Sequence, residues 1–169
     1  MARLYGEYRK DEESLEIKLS VSDAYLEEPL EEPYISVKIV YNYLSHDGKP
    51  ESIEHSIYKS NTLTYDIEEL CSLVDNYLSD YSPVQFLPSQ DPDFEIRLER
   101  KEHQQPISNK WFSYNTFEIE VGSVYGTDYL IFHLSPKDDD IKNFNQQLKQ
   151  EVKELVEESN KQYPKRVKK

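Results

Sequence analysis

The chain has a single cysteine, Cys71, among its 169 residues. An internal disulfide is therefore impossible, which agrees with a reducing compartment. Glycine is also scarce, since the four glycines stand at positions 6, 48, 122 and 126. Their spacing does not form a glycine-rich loop, so the sequence gives no reason to expect a phosphate cradle or a bound nucleotide.

The chain has far fewer basic than acidic residues. Twenty lysines and arginines face thirty-three aspartates and glutamates, and the formal net charge is −13. Because such a surface repels phosphate, we expect no direct binding to nucleic acid or anionic lipid and favour a basic partner. Solubility is a simpler explanation of the same excess. The short tail at 164–169 is basic, and we interpret it as a solvated chain end.

Long apolar runs are missing as well. No segment approaches the ~20 apolar residues of a membrane-spanning helix, and the first residues, MARLYGEYRKDEE, lack the apolar stretch of a secretory signal. We therefore expect a cytoplasmic protein that does not enter a membrane. Aromatic residues make up 12% of the chain, including fourteen tyrosines, which is typical of a folded domain rather than a disordered chain.

Alternating apolar residues predict strands over much of the chain. In the first third they run through 15–21 and 35–43, and we expect the first of these strands to pair with residues 3–9. Asp47-Gly48 predicts a turn, so that 34–58 forms a hairpin. The same alternation predicts further antiparallel strands at 84–87, 94–99, 117–121 and 129–134.

Two segments have the periodicity of helices. The stretch TYDIEELCSLVDNYLSDY has one apolar face, and either Thr64 or Asp66 fits its N-cap. A long C-terminal helix is predicted to start at Ser135-Pro136, where a capping residue, a proline and three aspartates suit a helix N-terminus. The sequence thus predicts one α+β domain over 1–169, a mainly antiparallel sheet of hairpins with a mid-chain helix and a long C-terminal helix packed on it.

No residues have the spacing of a catalytic or metal site. Ser45, His46 and Asp47 are the residue types of a hydrolase triad, but consecutive side chains in a turn cannot align as one. The other histidines have no ligand neighbour at helical spacing, and 138–140 lacks the pattern of a calcium loop. Cys71, among apolar and acidic neighbours, is interpreted as a packing residue. We expect no catalytic residue, metal or cofactor, although thirty-three acids leave a chance carboxylate pair open.

The order of the elements is similar to that of a bacterial family. The first alternating strand leads into Ala24-Tyr25-Leu26 and an acidic, proline-bearing turn, and the next strand opens at Tyr34-Ile35. Further similar features are the helix after Asn61-Thr62-Leu63, the strand Phe86-Leu87-Pro88 leading to Phe94-Glu95-Ile96, and the ending Tyr163-Pro164-Lys165-Arg166. In this pattern nearly the whole chain resembles the WapI-type immunity proteins of polymorphic, contact-dependent toxin systems.

The resemblance implies a small, cytoplasmic, non-catalytic protein that neutralises a cognate toxin domain, often a nuclease. Occlusion of a basic active-site cleft is then the expected mechanism, with charge raising the association rate. The acidic stretch DAYLEEPLEEPY is the predicted contact, because its prolines stiffen a loop that presents carboxylates beside aromatic rings. The predicted partner-binding residues are Tyr25, Glu27, Glu28, Glu31, Glu32 and Tyr34. Protection of an edge strand against aggregation is the simpler explanation of these glutamates.

Three alternatives stay open at this point. An acidic nucleic-acid mimic from a phage or mobile element could inhibit a host defence nuclease by the same physics. A homodimeric interaction module could pair two copies through the C-terminal helix. An enzyme of unfamiliar type would need carboxylates, a histidine or a tyrosine to converge in a concave pocket, which spacing along a sequence does not reveal.

Overall fold

The computed structural model describes residues 1–6, 13–21, 35–57, 64–88, 94–122 and 129–162. Within these ranges four strands and a helix are followed by four more strands and a second helix. The elements are β1 (Ala2–Tyr5), β2 (Ser14–Val21), β3 (Ile35–Leu44), β4 (Pro50–Ile57), α1 (Thr64–Asp80), β5 (Val84–Phe86), β6 (Phe94–Gln104), β7 (Trp111–Gly122), β8 (Tyr129–Leu134) and α2 (Asp138–Gln162).

The strands form two antiparallel sheets. Sheet 1 has the order β1-β2-β3-β4 and sheet 2 the order β5-β6-β7-β8, so each strand pairs with its neighbour along the chain. The predicted α+β class, with one mid-chain and one C-terminal helix, is confirmed. The division of the strands into two sheets was not predicted, because alternation shows which side chains face the core but not which strands pair.

The core lies where the inner faces of the two sheets meet each other and the helices. Tyr41 of β3 stacks on Phe132 of β8 with 5.1 Å between ring centroids. Phe144 of α2 packs edge to face against Phe117 of β7 at 5.8 Å. These contacts belong to one cluster of buried residues from both sheets and both helices, so the described parts of the chain share a single hydrophobic core.

Helix α1 begins at Thr64, and its apolar face is buried as predicted, with Ile67, Leu70, Val74 and Tyr77 in the core. Asp66 lies buried in the first turn of the helix, so the predicted alternative of Asp66 as its N-cap is wrong. The helix ends where Tyr81 adopts a φ of 59° and its N–H donates to the Tyr77 carbonyl at 2.7 Å. A left-handed residue here closes the last turn of the helix.

Helix α2 begins at Asp138 rather than at Pro136, which was predicted as its first residue. The Pro136 carbonyl accepts a hydrogen bond from Asn115 Nδ2 at 2.9 Å, and the first helical bond runs from Ile141 N to the Lys137 carbonyl at 3.0 Å. The apolar face of α2 is buried within the chain, against β1, β2, β7 and α1. This face is therefore not available for pairing with a second copy of the chain.

None of the described helices is long and apolar enough to span a bilayer.

Strands β6 and β7 are longer than predicted and form a hairpin that projects from the body. Their pairing continues to Gln104 and Trp111, and every residue from Arg100 to Ser113 is exposed. The turn at its end is closed by a hydrogen bond from Gln105 N to the Lys110 carbonyl at 2.9 Å. The tighter predicted turn at Asp47-Gly48 is confirmed, and Gly48 has a φ of 71°, which glycine adopts without strain.

Candidate partner-binding surface

Two open grooves run along the helices. One, of about 500 Å³, lies between β1 and α2 and is lined mainly by polar side chains, and the other, of about 430 Å³, lies between α1 and α2. In the first groove Glu151 is already paired with the amino group of Met1, and Glu154 accepts a hydrogen bond from Gln150 at 2.7 Å. Ligand pockets are usually enclosed and mostly apolar. These grooves therefore offer little to a small ligand.

Cys71 lines the groove between the helices but is itself buried in the core. Burial raises the pKa of its thiol to about 12, Asp75 and Glu68 add to this effect, and Lys149 opposes it. The thiolate needed for nucleophilic chemistry is therefore scarce at neutral pH. The predicted packing role of Cys71 is confirmed.

Within the described ranges, no group of three or more His, Cys, Asp or Glu side chains is placed to hold a metal ion.

A polar network joins the end of α1, sheet 2 and the start of α2. Tyr81 Oη donates to Asp138 Oδ2 at 2.7 Å, and Asn115 Nδ2 donates to Asp138 Oδ1 at the same distance. Tyr77 Oη donates to Asn115 Oδ1 at 2.6 Å. Arg100 lies 3.5 Å from the Asp138 carboxylate. The network thus connects three elements that the sequence separates by many residues.

The charges in this network compensate one another. Burial opposes the charge of Asp138, but hydrogen bonds from Tyr81 and Asn115 and the charge of Arg100 outweigh it and lower the pKa of the carboxyl group. Burial also raises the pKa of Tyr77 to about 12, and the charge of Asp138 adds to the shift. Since the groups satisfy one another and line neither groove, the arrangement is suited to holding the elements together rather than to chemistry.

The predicted contact residues lie outside the described residues, because all of them fall between positions 22 and 34. The prediction for this segment stays a prediction, and it concerns Tyr25, Glu27, Glu28, Glu31, Glu32 and Tyr34. Within the described ranges, α1 has the largest excess of one charge. Its sequence contains five acidic residues and no lysine or arginine, and four of the five, Glu68, Glu69, Asp75 and Asp80, are exposed.

Exposed apolar side chains concentrate on sheet 2. Of the ten large hydrophobic residues exposed within the described ranges, six belong to this sheet or its hairpin. Three of them, Ile107, Trp111 and Phe112, form the hairpin tip. The other three, Tyr129, Leu130 and Ile131, form the open end of β8. The strand registers place these two groups at opposite ends of β7, so they form two separate exposed patches. A patch of neighbouring apolar residues marks an interaction surface more often than a single exposed residue does.

The outer face of sheet 2 carries an excess of carboxylates beside these apolar residues. The strand registers place Glu120 opposite Ile131 and Glu118 opposite His133. Arg97 pairs with Glu95 at 2.6 Å and lies 3.9 Å from Glu120. The face has four carboxylates (Glu95, Glu99, Glu118 and Glu120) and two cationic groups (Arg97 and Lys101), so carboxylates outnumber cations by two.

No family model and no curated protein match the chain. Among solved structures, the plant transcriptional regulator PBF-2 matches with a TM-score of 0.45 and 10% sequence identity, over 98% of this chain and 95% of that one. A similarity this distant has no bearing on function.

Proposed function

We propose that the protein is a non-catalytic, immunity-type inhibitor that binds a basic protein domain, such as a nuclease toxin, and covers its active site. The observation that carries the proposal is the outer face of sheet 2, where Tyr129 and Ile131 lie exposed beside Glu118 and Glu120. The net charge of −13 favours a partner of opposite sign. The acidic stretch at 23–34 would add to the same attraction.

The two kinds of residue on this face serve different parts of binding. Exposed aromatic and aliphatic side chains supply most of the affinity once a partner excludes water from them. Carboxylates mainly steer the encounter and select a basic partner over an acidic one. A toxin nuclease has to attract phosphate, so its active site is basic and fits a face of this composition.

Co-expression with the basic proteins encoded beside its gene tests the proposal. We expect a copurifying complex whose association rate falls steeply with added salt, because the encounter is electrostatic. The double substitution Glu118→Gln/Glu120→Gln is expected to slow association about tenfold. The control, Glu69→Gln/Glu157→Gln, removes two exposed carboxylates from the helices α1 and α2 and makes the same change in net charge.

Two outcomes would contradict the proposal. One is that no basic neighbour-encoded protein binds at low salt. The other is that a complex forms but both double variants associate equally slowly, since the net charge and not this face of sheet 2 would then set the rate.

A further inference from the structure

The two sheets end in four edge strands within the described part of the chain: β1 and β4 in sheet 1, and β5 and β8 in sheet 2. An edge strand has unpaired backbone N–H and C=O groups that can pair with a strand of another chain. Folded proteins therefore cover their edges, shorten them, or place charged residues and proline on them. The four edges differ in this respect.

The edge of β1 is covered by α2. Arg3 N donates to Gln147 Oε1 at 2.8 Å, and the amino group of Met1 pairs with Glu151. A backbone donor of this strand is thus satisfied by a side chain of the helix. A further strand at β1 would have to displace α2.

The edges of β4 and β5 are protected by their sequences. Strand β4 starts with Pro50 and carries the exposed carboxylates Glu51 and Glu54. Strand β5 has only three residues and lies between Pro83 and Pro88. Neither edge offers a long, uncharged row of backbone groups.

Among the described residues, no helix or loop covers the outer edge of β8, and its own sequence does not protect it either. Its sequence, YLIFHL, contains no acidic residue, lysine, arginine or proline, and its six residues extend over about 20 Å. Tyr129 is 58% exposed and Ile131 49% exposed. In a chain with 31% charged residues, an uncharged and apolar edge of this length is the exception.

The side chains next to β8 determine what kind of strand from another chain could pair with it. Tyr129, Ile131 and His133 alternate onto the outer face of the sheet, next to Glu118 and Glu120 of β7. A strand added at β8 would lie roughly 10 Å from β7, two strand spacings away. The side chains of lysine and arginine are long enough to approach the two carboxylates across β8.

We infer that β8 is the docking edge for a strand of a partner protein in which lysine or arginine alternates with apolar residues. The inference rests on the proposed function and names the contact through which the basic partner binds. A second copy fits less well, because pairing two β8 edges would join two sheets that each carry Glu118 and Glu120 on the same face, in chains of net charge −13.

The test uses a short fluorescent peptide in which lysine and valine alternate, and a second peptide in which glutamate replaces lysine. We expect the lysine peptide alone to bind, and hydrogen exchange in the complex to slow at those amides of residues 129–134 that point away from β7. Ile131→Lys should weaken binding about tenfold, because an added charge on the edge opposes strand addition. The control Ile53→Lys makes the same change at an exposed position of β4 and should bind as the unmodified protein does.

Several results would overturn the inference. Slow exchange, in the dilute free protein, of the β8 amides that point away from β7 would mean that the chain already covers this edge. Protection that grows with protein concentration would assign the edge to a second copy. Peptide binding without protection of β8 would place the contact elsewhere.

The same measurements separate this inference from the proposed function. If a neighbour-encoded basic domain binds but neither slows exchange at β8 nor responds to Ile131→Lys, strand docking is wrong and the proposed function stands. If the lysine peptide pairs along β8 while no neighbour-encoded basic domain binds, the proposed function is wrong and the docking edge stands.

Discussion

Arg100 of β6 lies over the ring of Tyr81, with its guanidinium carbon 3.9 Å from the ring centroid. Tyr81 in turn donates a hydrogen bond to Asp138, the first residue of α2. The residue that closes α1 is therefore held from one side by sheet 2 and from the other by α2. Substitutions in this network should lower the stability of the whole fold, since it joins both helices to the second sheet.

Asp138→Asn is expected to lower the free energy of unfolding by about 1 to 2 kcal/mol at neutral pH, because the charged acceptor of Tyr81 and Asn115 is lost. Asp139→Asn is the matched control, since Asp139 is exposed and lies in the same helical turn. Urea unfolding of the three proteins measures the difference. Equal losses in both variants would point to the helix dipole rather than the network.

The pH dependence of the same residue has a definite sign. The pKa of Asp138 is lowered in the folded protein, so its stabilising contribution is fully present above the unfolded value of about 4. That contribution is lost as the pH falls through the folded value. Between pH 5 and pH 3 the unmodified protein should therefore lose more stability than Asp138→Asn. Parallel curves would show that Asp138 does not contribute to the acid sensitivity.

Tyr77→Phe is expected to cost about 1 to 2 kcal/mol, because it leaves the buried Oδ1 of Asn115 without its donor. Tyr129→Phe is the control at an exposed tyrosine and should have little effect. Thermal or urea unfolding at neutral pH compares the two. A loss as large for Tyr129→Phe would argue against this assignment.

The raised pKa of Tyr77 predicts a second effect at high pH. Its folded value is about 12, whereas an unfolded tyrosine titrates near about 10. The contribution is fully present below the unfolded value and is lost as the pH rises through the folded one. Between pH 10 and 12 the unmodified protein should lose more stability than Tyr77→Phe, and an identical loss in both would contradict the assignment.

Cys71 should react slowly with thiol reagents in the native protein, because the side chain is buried and its thiolate is scarce. Moving the thiol by one residue provides the control. Ser72 is exposed, so Ser72→Cys in a Cys71→Ala background should react at a rate close to that of the unfolded chain. Rapid native labelling of Cys71 itself would show that the contact between α1 and α2 opens readily.

Asn145 connects the two helices through one side chain. Its Nδ2 donates to the Cys71 carbonyl at 3.0 Å and to Asp75 Oδ1 at 2.8 Å. Asn145→Ala is expected to cost about 2 kcal/mol, because two hydrogen bonds are lost at a buried position. Asn143→Ala, at an exposed position of the same helix, should change stability by less than about 0.5 kcal/mol. Similar losses in the two variants would contradict the proposed contribution of this contact.

Much of the secondary structure could be predicted because the spacing of apolar residues in the sequence reflects which side chains of a strand or helix are buried. Strand β8 has the predicted bounds, and α1 buries the predicted face from Ile67 to Tyr77. The outer half of the β6–β7 hairpin was missed because neither of its faces is buried, so the segment between Arg100 and Ser113 shows no alternation. The start of α2 was misplaced because the Pro136 carbonyl is bound by Asn115, a contact from a distant strand.

The candidate surface was harder to predict than the fold. The predicted glutamates at 27–32 follow one another in the chain, in a stretch with two prolines and flanking tyrosines, and are therefore visible in the sequence. The carboxylates of sheet 2 are far apart in sequence, and only the pairing of β6, β7 and β8 brings them together. The sequence does contain one signal of this surface. The stretch YLIFHL has no charge, and an uncharged strand is informative once it is known to lie at the edge of a sheet.

The projecting hairpin differs from the rest of the chain in what its sequence must satisfy, because its residues do not have to pack in the core. From Arg100 to Ser113 no residue belongs to the core, so replacing most of these side chains removes little of the packing that keeps the protein folded. Ile107, Trp111 and Phe112 can therefore vary between related proteins with little penalty in stability. Substitutions in this hairpin could therefore change which partner a related protein binds while the rest of the fold stays the same.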